Sequence, residues 1–295
     1  GQMDLVKTLL YQHRADEVLR IYEQLQERLQ DNPSLLNKIN SDPNWAMAYL
    51  ELARWPQALS HAAAAYQLKL KKLGRKHYKT AKTEGILAIA LYHNGRHAEA
   101  LGHFQASLKI LLARSRQSDS QVETSQYNRH KVNRVLRSYI ALLADIQGSE
   151  LARQYQLDAA TEAFRMADIL RSRNVEGALL ASAARSAVTD PQLSRLVRQE
   201  QDAQTQIAAL FEVLAGALSV AESEQDHGEV EEIRRRIDQL RGARAALAEA
   251  IEAQFPDYAD LINPKPLAPE ELQSWLRDDE TLITTASTPE HLFVW

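Results

Sequence analysis

The sequence predicts an all-α chain: an α-α superhelix of helical hairpins, then an antiparallel coiled-coil hairpin, with a short β-hairpin at the C-terminus. Three observations predict it. Only 10 Gly and 9 Pro occur in 295 residues, while Ala, Leu, Glu, Gln and Arg abound, a composition that favours helix. Pairs of amphipathic segments joined by short turns recur along the first part of the chain. From Leu193 to Phe255, apolar positions then recur at alternating three and four, the spacing of a two-helix seam.

Residues 3–30 form the first hairpin, with Leu5, Val6 and Leu9 packing from one helix and Val18, Tyr22 and Leu25 from the next, across a turn at His13-Arg14. Asp31-Asn32-Pro33 interrupts the pattern. Ser41-Asp42-Pro43 starts a helix, a capping side chain followed by proline in the first turn. Trp45, Ala46 and Tyr49 follow on one face. Beyond the break at Arg54-Trp55-Pro56, Ala58, Ala62, Ala65 and Tyr66 form the inner face of the partner helix.

The third hairpin, Thr83–Leu112, is the most regular. Leu87, Ala88 and Leu91 share a face, and Asn94-Gly95 makes the turn because glycine accepts positive φ without a steric penalty. Ala100, Phe104, Ser107 and Leu108 share the facing side of the second helix. Leu87-Ala88-x-x-Leu91 and Ala100-x-x-x-Phe104 resemble the L-G-x-x-Y and A-x-x-x-F parts of the tetratricopeptide (TPR) signature. Glu84 stands where that signature opens on tryptophan, and no proline closes the repeat. Val18, Ala58 and Ala100 are equivalent positions, so the period is 40–42 residues. That resembles the longer TPR variants, as in kinesin light chain, whose second helix is extended; the extension falls in Tyr66–Lys82.

Residues 113–126 are polar and read as a loop or a helix cap. A long helix over 127–147 turns Val132, Val135, Leu136, Tyr139, Leu142, Leu143 and Ile146 inward, and 150–172 forms its partner through Ala160, Phe164 and Ala167. A short alanine-rich helix over 174–188 caps the array. The chain thus divides into TPR-like hairpins (1–112), a degenerate repeat with capping helices (113–190), a coiled-coil hairpin (191–255) and a changed C-terminal part (256–295). The seam positions are Leu193, Leu196, Glu200, Ala203, Ile207, Leu210, Leu214 and Ala217, then Val230, Ile233, Ile237, Leu240, Arg244, Leu247, Ile251 and Phe255. Glu231/Arg235 and Glu232/Arg236 are spaced to pair on the outer face. In the last part a helix starts at Ala268-Pro269-Glu270-Glu271, and strands follow at 281–286 and 291–295. The chain stops inside the second strand, so the expectation is that residue 295 is a cut end or a cleavage point.

A second resemblance rests on Glu162-Ala163-Phe164, Ala184-Arg185, Val197-Arg198-x-Glu200-Gln201-Asp202, Phe255-Pro256-x-Tyr258, Pro264-x-Pro266, Glu271-Leu272-Gln273-x-Trp275-Leu276, Asp279-Glu280-x-Leu282 and Leu292-Phe293-Val294-Trp295. In order and spacing these resemble the segment leading into a CHAT domain, the caspase-like domain that follows TPR arrays. The resemblance implies that residues 256–295 are the first strands of such a domain. It also implies a histidine and a cysteine nucleophile later than those strands. The chain has no cysteine, so no catalytic residue carries over, and the expectation is a non-enzymatic module even if its parent is a peptidase.

Several chemistries are set aside by composition. The formal net charge is −4 and gives no global argument for nucleic acid. No 18-residue apolar run occurs, so no membrane partner is expected and the protein is expected to be soluble and cytoplasmic. His93 and His97 have the spacing of a metal pair, but Asn94-Gly95 separates them, and neither a metal site nor a cofactor is expected. Phosphate-binding glycine loops and nucleophile elbows are lacking.

The remaining candidates are binding surfaces. The concave side of a TPR array is lined by the first helix of each hairpin. By register this places Met47, Leu50 and Glu51 of the second hairpin there, and Lys82, Gly85, Ile89, Tyr92 and His93 of the third. Gly85, Ile86 and Ile89 stand where chaperone-binding TPRs carry their carboxylate clamp, so the resemblance implies a hydrophobic groove for a protein or peptide segment. The alternative is that these residues pack against the next repeat. Lys69, Lys71, Lys72, Arg75, Lys76, Lys79 and Lys82 form a basic run with no acid among them. It reads as a solvated helix end, as a docking patch for an acidic partner or RNA, or as the counterpart of the chain's own acidic C-terminal part. The leading functional expectation is a regulatory scaffold that recruits a protein partner and positions a downstream caspase-like domain. The alternatives are the N-terminal part of an active cysteine peptidase and a self-association module, a homodimer formed through the coiled coil or the strand edge at 281–295.

Overall fold

The computed structural model describes residues 2–115, 126–171, 190–217, 226–262, 269–288 and 291–295. The chain forms two compact units. One contains the residues up to 113, 125–170 and 266–295; the other centres on 171–265. The architecture is all-α apart from a two-stranded antiparallel sheet near the C-terminus, as the sequence predicts.

In the first unit, α1 (Gln2–Tyr11) and α2 (Ala15–Leu29) pair across a turn in which His13 takes φ 58. Val6, Leu9, Val18 and Tyr22 are buried as expected, whereas Leu5 is 50% exposed and Leu10 takes its place inside. The break expected at Asp31-Asn32-Pro33 opens a further helix, α3 (Pro33–Asn40). The Asn32 side chain accepts from the Leu35 N–H at 3.1 Å, and Pro33 sits in the first turn, where its missing N–H costs nothing. The same chemistry starts α4 (Pro43–Glu51), where the Asp42 carboxylate accepts from the Asn44 N–H at 2.8 Å.

The second helix of this hairpin, α5 (Trp55–Leu73), is the extended one and buries Ala58, Ala62, Ala65 and Tyr66. Its end and the start of α6 (Tyr78–His93) are joined by a short loop, with the His77 side chain capping the Lys79 N–H. Gly95 takes φ 74 in the turn to α7 (His97–Ser115). Ala100, Phe104, Ser107 and Leu108 are buried against α6 and its neighbours. The small alanines let the backbones approach, and the Phe104 ring fills the space toward Tyr139 at 5.4 Å.

All seven positions expected to face inward from α8 (Gln126–Ile146) are buried. Its partner is two helices, not one. After α9 (Glu150–Gln154) the chain turns through Gln156 at φ 50 and resumes as α10 over residues 159–171. Phe164 and Ala167 are inside as expected, but Ala160 is exposed and Ala159 and Ala163 are buried instead, because the break resets the helical phase. The segment expected as a loop or helix cap over 113–126 is helical at both edges, since α7 runs to Ser115 and α8 starts at Gln126; residues 116–125 and the capping helix over 174–188 lie outside the described residues.

The second unit is an antiparallel pair, α11 (Pro191–Ala217) and α12 (His227–Gln254), continued by the short α13 (Pro256–Ile262). Leu193 packs with Ile251 at one end, and Ile207 and Leu214 with Val230, Ile233 and Ile237 toward the other. The polar seam positions meet midway, where Arg244 pairs with Glu200 at side-chain exposures of 5% and 15%. The outer acids pair one residue short of the expected spacing, Glu232 with Arg235 at 2.6 Å and Glu231 with Arg234 at 3.8 Å.

The C-terminal residues rejoin the first unit. After α14 (Pro269–Trp275), β1 (Thr285–Ser287) pairs with β2 (Leu292–Val294), Thr285 opposite Val294. Thr284 and Trp295 exchange both backbone hydrogen bonds at 2.9 and 3.0 Å. Ala286, Phe293 and Trp295 lie against the helical core, and the Trp295 ring meets Phe164 of α10 edge-on at 6.0 Å. The alternate side chains Ile283, Leu292 and Val294 point outward.

Candidate functional site

The residues expected to line the inner side of the array separate into two groups. Met47, Leu50 and Ile89 are 2% exposed or less, and Gly85 is buried as well. Glu51, Lys82, Tyr92 and His93 are half-buried at the margins.

The reason is α8. It packs along α6 and also reaches α1, so the first helices of the hairpins enclose their own inner side. A Cβ on Gly85 would stand 2.8 Å from Cγ2 of Val135, so glycine is what lets α8 come this close. The Lys131 ammonium, on a residue 4% exposed, donates to Asn44 Oδ1 at 2.6 Å across to α4. Arg134 reaches Glu51 at 3.5 Å, and His13 lies 3.9 Å from the same oxygen. Burial pushes the Glu51 carboxyl up against the pull of Arg134 and His13. The His130 ring meets those of Tyr11 and His13 at 6.0 and 5.9 Å, and burial, then Arg134, hold its pKa below the ordinary histidine value.

The marginal residues are held in place by aromatic and polar contacts. His93 stacks on Trp55 with ring centroids 4.2 Å apart and planes 7° off parallel. The Tyr92 hydroxyl donates to Asp145 at 2.7 Å, and its ring lies 5.7 Å from His97. Lys82 lies 5.6 Å above the Tyr78 ring. Among the described residues no group of three or more His, Asp or Glu is placed to hold a metal ion.

The basic run falls at the end of α5, in the loop that follows and at the start of α6. Lys71, Lys72, Arg75, Lys76 and Lys79 are exposed, while Lys69 and Lys82 are half-buried. Thr80 Oγ1 donates to the Lys69 carbonyl at 3.3 Å and ties the two helix ends together. Burial, then Lys79, holds the Lys69 ammonium below the ordinary lysine value. Lys72 and Lys38 push the same way, and the Asp42 carboxylate opposes them. Of the C-terminal acids, Glu280 and Asp279 pair with Arg277, at 2.8 and 3.6 Å.

Asn44, Lys131, Arg134 and His130 escaped the sequence reading. Asn44 lies on α4, and on α8 Lys131 borders the apolar face that periodicity marks while Arg134 and His130 lie off it. They are enclosed only because α1 closes on α8 from the far side, which no local pattern encodes. None of the described helices is long and apolar enough to cross a membrane.

Residues 35–113, which span α3 to α7, match the family described as Tetratricopeptide repeat. No curated protein matches the chain.

Proposed function

We propose that this TPR-type chain is a protein-interaction and regulatory module whose helical hairpins recruit a protein or peptide partner. The observation that carries the reading is the repeat-family match over the hairpins whose first helices hold Glu51, Lys82, Tyr92 and His93 at the margins of an otherwise filled inner side. A partner reaches those residues and the basic surface at 69–82. It meets Met47, Leu50, Gly85 and Ile89 only if α8 moves aside. TPR arrays in general serve as such modules.

In the finer form of the proposal, the chain is the N-terminal part of a TPR–CHAT protein. The helix pair α11–α12 acts as a coiled-coil spacer, and the C-terminal hairpin begins a caspase-like domain. The outward Ile283, Leu292 and Val294 support this, because an apolar outer face on a two-stranded sheet calls for cover that a downstream domain would give. A second copy of the chain would cover the same face, and light scattering over a concentration series separates the two.

The test is photo-crosslinking from a benzoylphenylalanine placed at His93 or at Lys72 of the full-length parent. A discrete cross-linked partner that disappears when residues 3–112 are deleted is the expected result. Capture that survives the deletion unchanged overturns the reading.

A further inference from the structure

We propose that the lysine-rich end of the hairpin array, built from α3, the end of α5 and the start of α6, docks an acidic polypeptide segment. The inference rests on the interaction-module reading and names the chemistry of the partner. Over residues 69–82 the chain carries seven basic side chains and no acid, and the fold places them at the end of α5, in the loop after it and at the start of α6, five of them exposed. The Thr80–Lys69 hydrogen bond sets the two helix ends side by side, and Lys38 of α3 joins them from across the surface.

The neighbouring positive charge is deep as well as broad. Lys131 is enclosed beside Asn44, within the influence of Lys82 and Lys7, and Asp42 faces it. Asp42 is therefore the acid whose charge acts on two groups of lysines, Lys69 with Lys38, Lys72 and Lys79, and Lys131 with Lys7 and Lys82. Its Oδ1 already accepts from the Asn44 N–H. Carboxylates of a bound segment would add favourable Coulomb energy to both groups, most of all at half-buried Lys69, where screening by water is weakest.

Charge alone would also suit RNA or an anionic bilayer. The surface favours neither. Base stacking needs exposed rings, and the aromatic residues within 69–82, His77 and Tyr78, are both buried. Membrane adsorption needs apolar anchors, and Leu70 packs against the core. Lysines in this number, with Arg75 the lone guanidinium of the run, suit point-charge pairing with carboxylates more than planar bidentate readout.

The test uses the full chain and a fluorescein-labelled oligoglutamate, with fluorescence anisotropy read at rising salt. Binding that weakens steeply with salt is expected, and Lys72→Gln/Lys76→Gln/Lys79→Gln should weaken it about tenfold. These positions are exposed, and an unchanged thermal melt by circular dichroism confirms the fold. Removing three charges elsewhere, Arg153→Gln/Arg235→Gln/Arg236→Gln, should leave binding intact; an equal loss there overturns the proposal, because net charge alone would explain it. Tighter binding of oligouridylate or of phosphatidylserine vesicles than of the oligoglutamate also overturns it. If the cross-linked partner above is captured while the oligoglutamate is not bound, only this inference fails. If neither is seen, the interaction-module reading fails with it.

Discussion

Glu84 replaces the tryptophan that opens the repeat signature, and the substitution is chemically complete on one oxygen. Its side chain is 1% exposed, with Oε1 accepting from the Tyr66 hydroxyl at 3.2 Å and lying 3.0 Å from Nδ1 of His103. Three helices, α5, α6 and α7, are thereby tied by a polar contact where the signature residue would tie them by an apolar one. A buried carboxylate is retained at little net cost only while its donors remain. Glu84→Ala is expected to destabilise the first unit by about 2–4 kcal/mol, leaving the Tyr66 hydroxyl without its acceptor and a cavity beside it. Glu84→Gln keeps an acceptor and is expected to cost about 1 kcal/mol. Urea denaturation ranks the two, and an alanine variant no worse than the glutamine variant would refute the account. From the sequence, Glu84 read only as a departure from the signature; its partners lie 18 and 19 residues away and could not be paired with it by spacing.

Among the elements, α8 decides how the hairpins close. Val135 occupies the room that Gly85 leaves open, with its methyls 2.8 and 3.1 Å from the absent Cβ. Gly85→Ala gains about 1 kcal/mol of helix propensity but forces a β-branched neighbour with little rotamer freedom, so a net loss of about 1–2 kcal/mol is expected. Val135→Ala empties part of the same space, and the double variant should be markedly more stable than the sum of the two single costs. Additive costs in equilibrium unfolding would mean that the two helices do not interlock there. Arg244 and Glu200 play a comparable part in the α11–α12 pair, where a single enclosed charge pair fixes which turn faces which. Both fall in the apolar register of the sequence, so the seam was legible even though the pairing was not. The start of α4 and the turn between α6 and α7 were legible for a different reason: capping residues and Asn94-Gly95 act locally. The start of α6 was not, because Tyr78–Lys82 fell in the expected extension of the preceding helix, whereas α5 ends at Leu73 and the His77 cap opens α6 at Tyr78. The same kind of signal at Asn32-Pro33 was read as a break although it starts α3, because a stop and a start use the same residues.

At the scale of the molecule, the C-terminal hairpin belongs to the helical unit and not to the long helices that precede it in the chain. Its inward side chains Phe293 and Trp295 rest on the core, and Trp295 meets Phe164. Trp295→Ala is expected to loosen this attachment by about 1–2 kcal/mol. Limited thermolysin digestion should then cut within residues 276–290 about tenfold faster. An unchanged cleavage rate would show that the hairpin stays put without the indole. The fold class, the repeats and the antiparallel helix pair were all readable, since each rests on periodicity or turn chemistry within a few dozen residues. The filling of the inner side was not, because it depends on residues as distant as Asn44 and Lys131.

That distant contact also changes how the array must form. A repeat array held by neighbours alone can nucleate anywhere, extend one hairpin at a time and fray from its ends. Here Tyr11 and His13 meet His130, so the first helix, though paired with the second, completes its packing only once the eighth has been made and has folded back onto it. Closing so long a loop carries an entropic cost that grows only slowly with length, but it delays the rewarding contacts to a late step. The hairpins of the first unit therefore behave as one cooperative body, and α1, made before α8, is among the last of them to be fully packed.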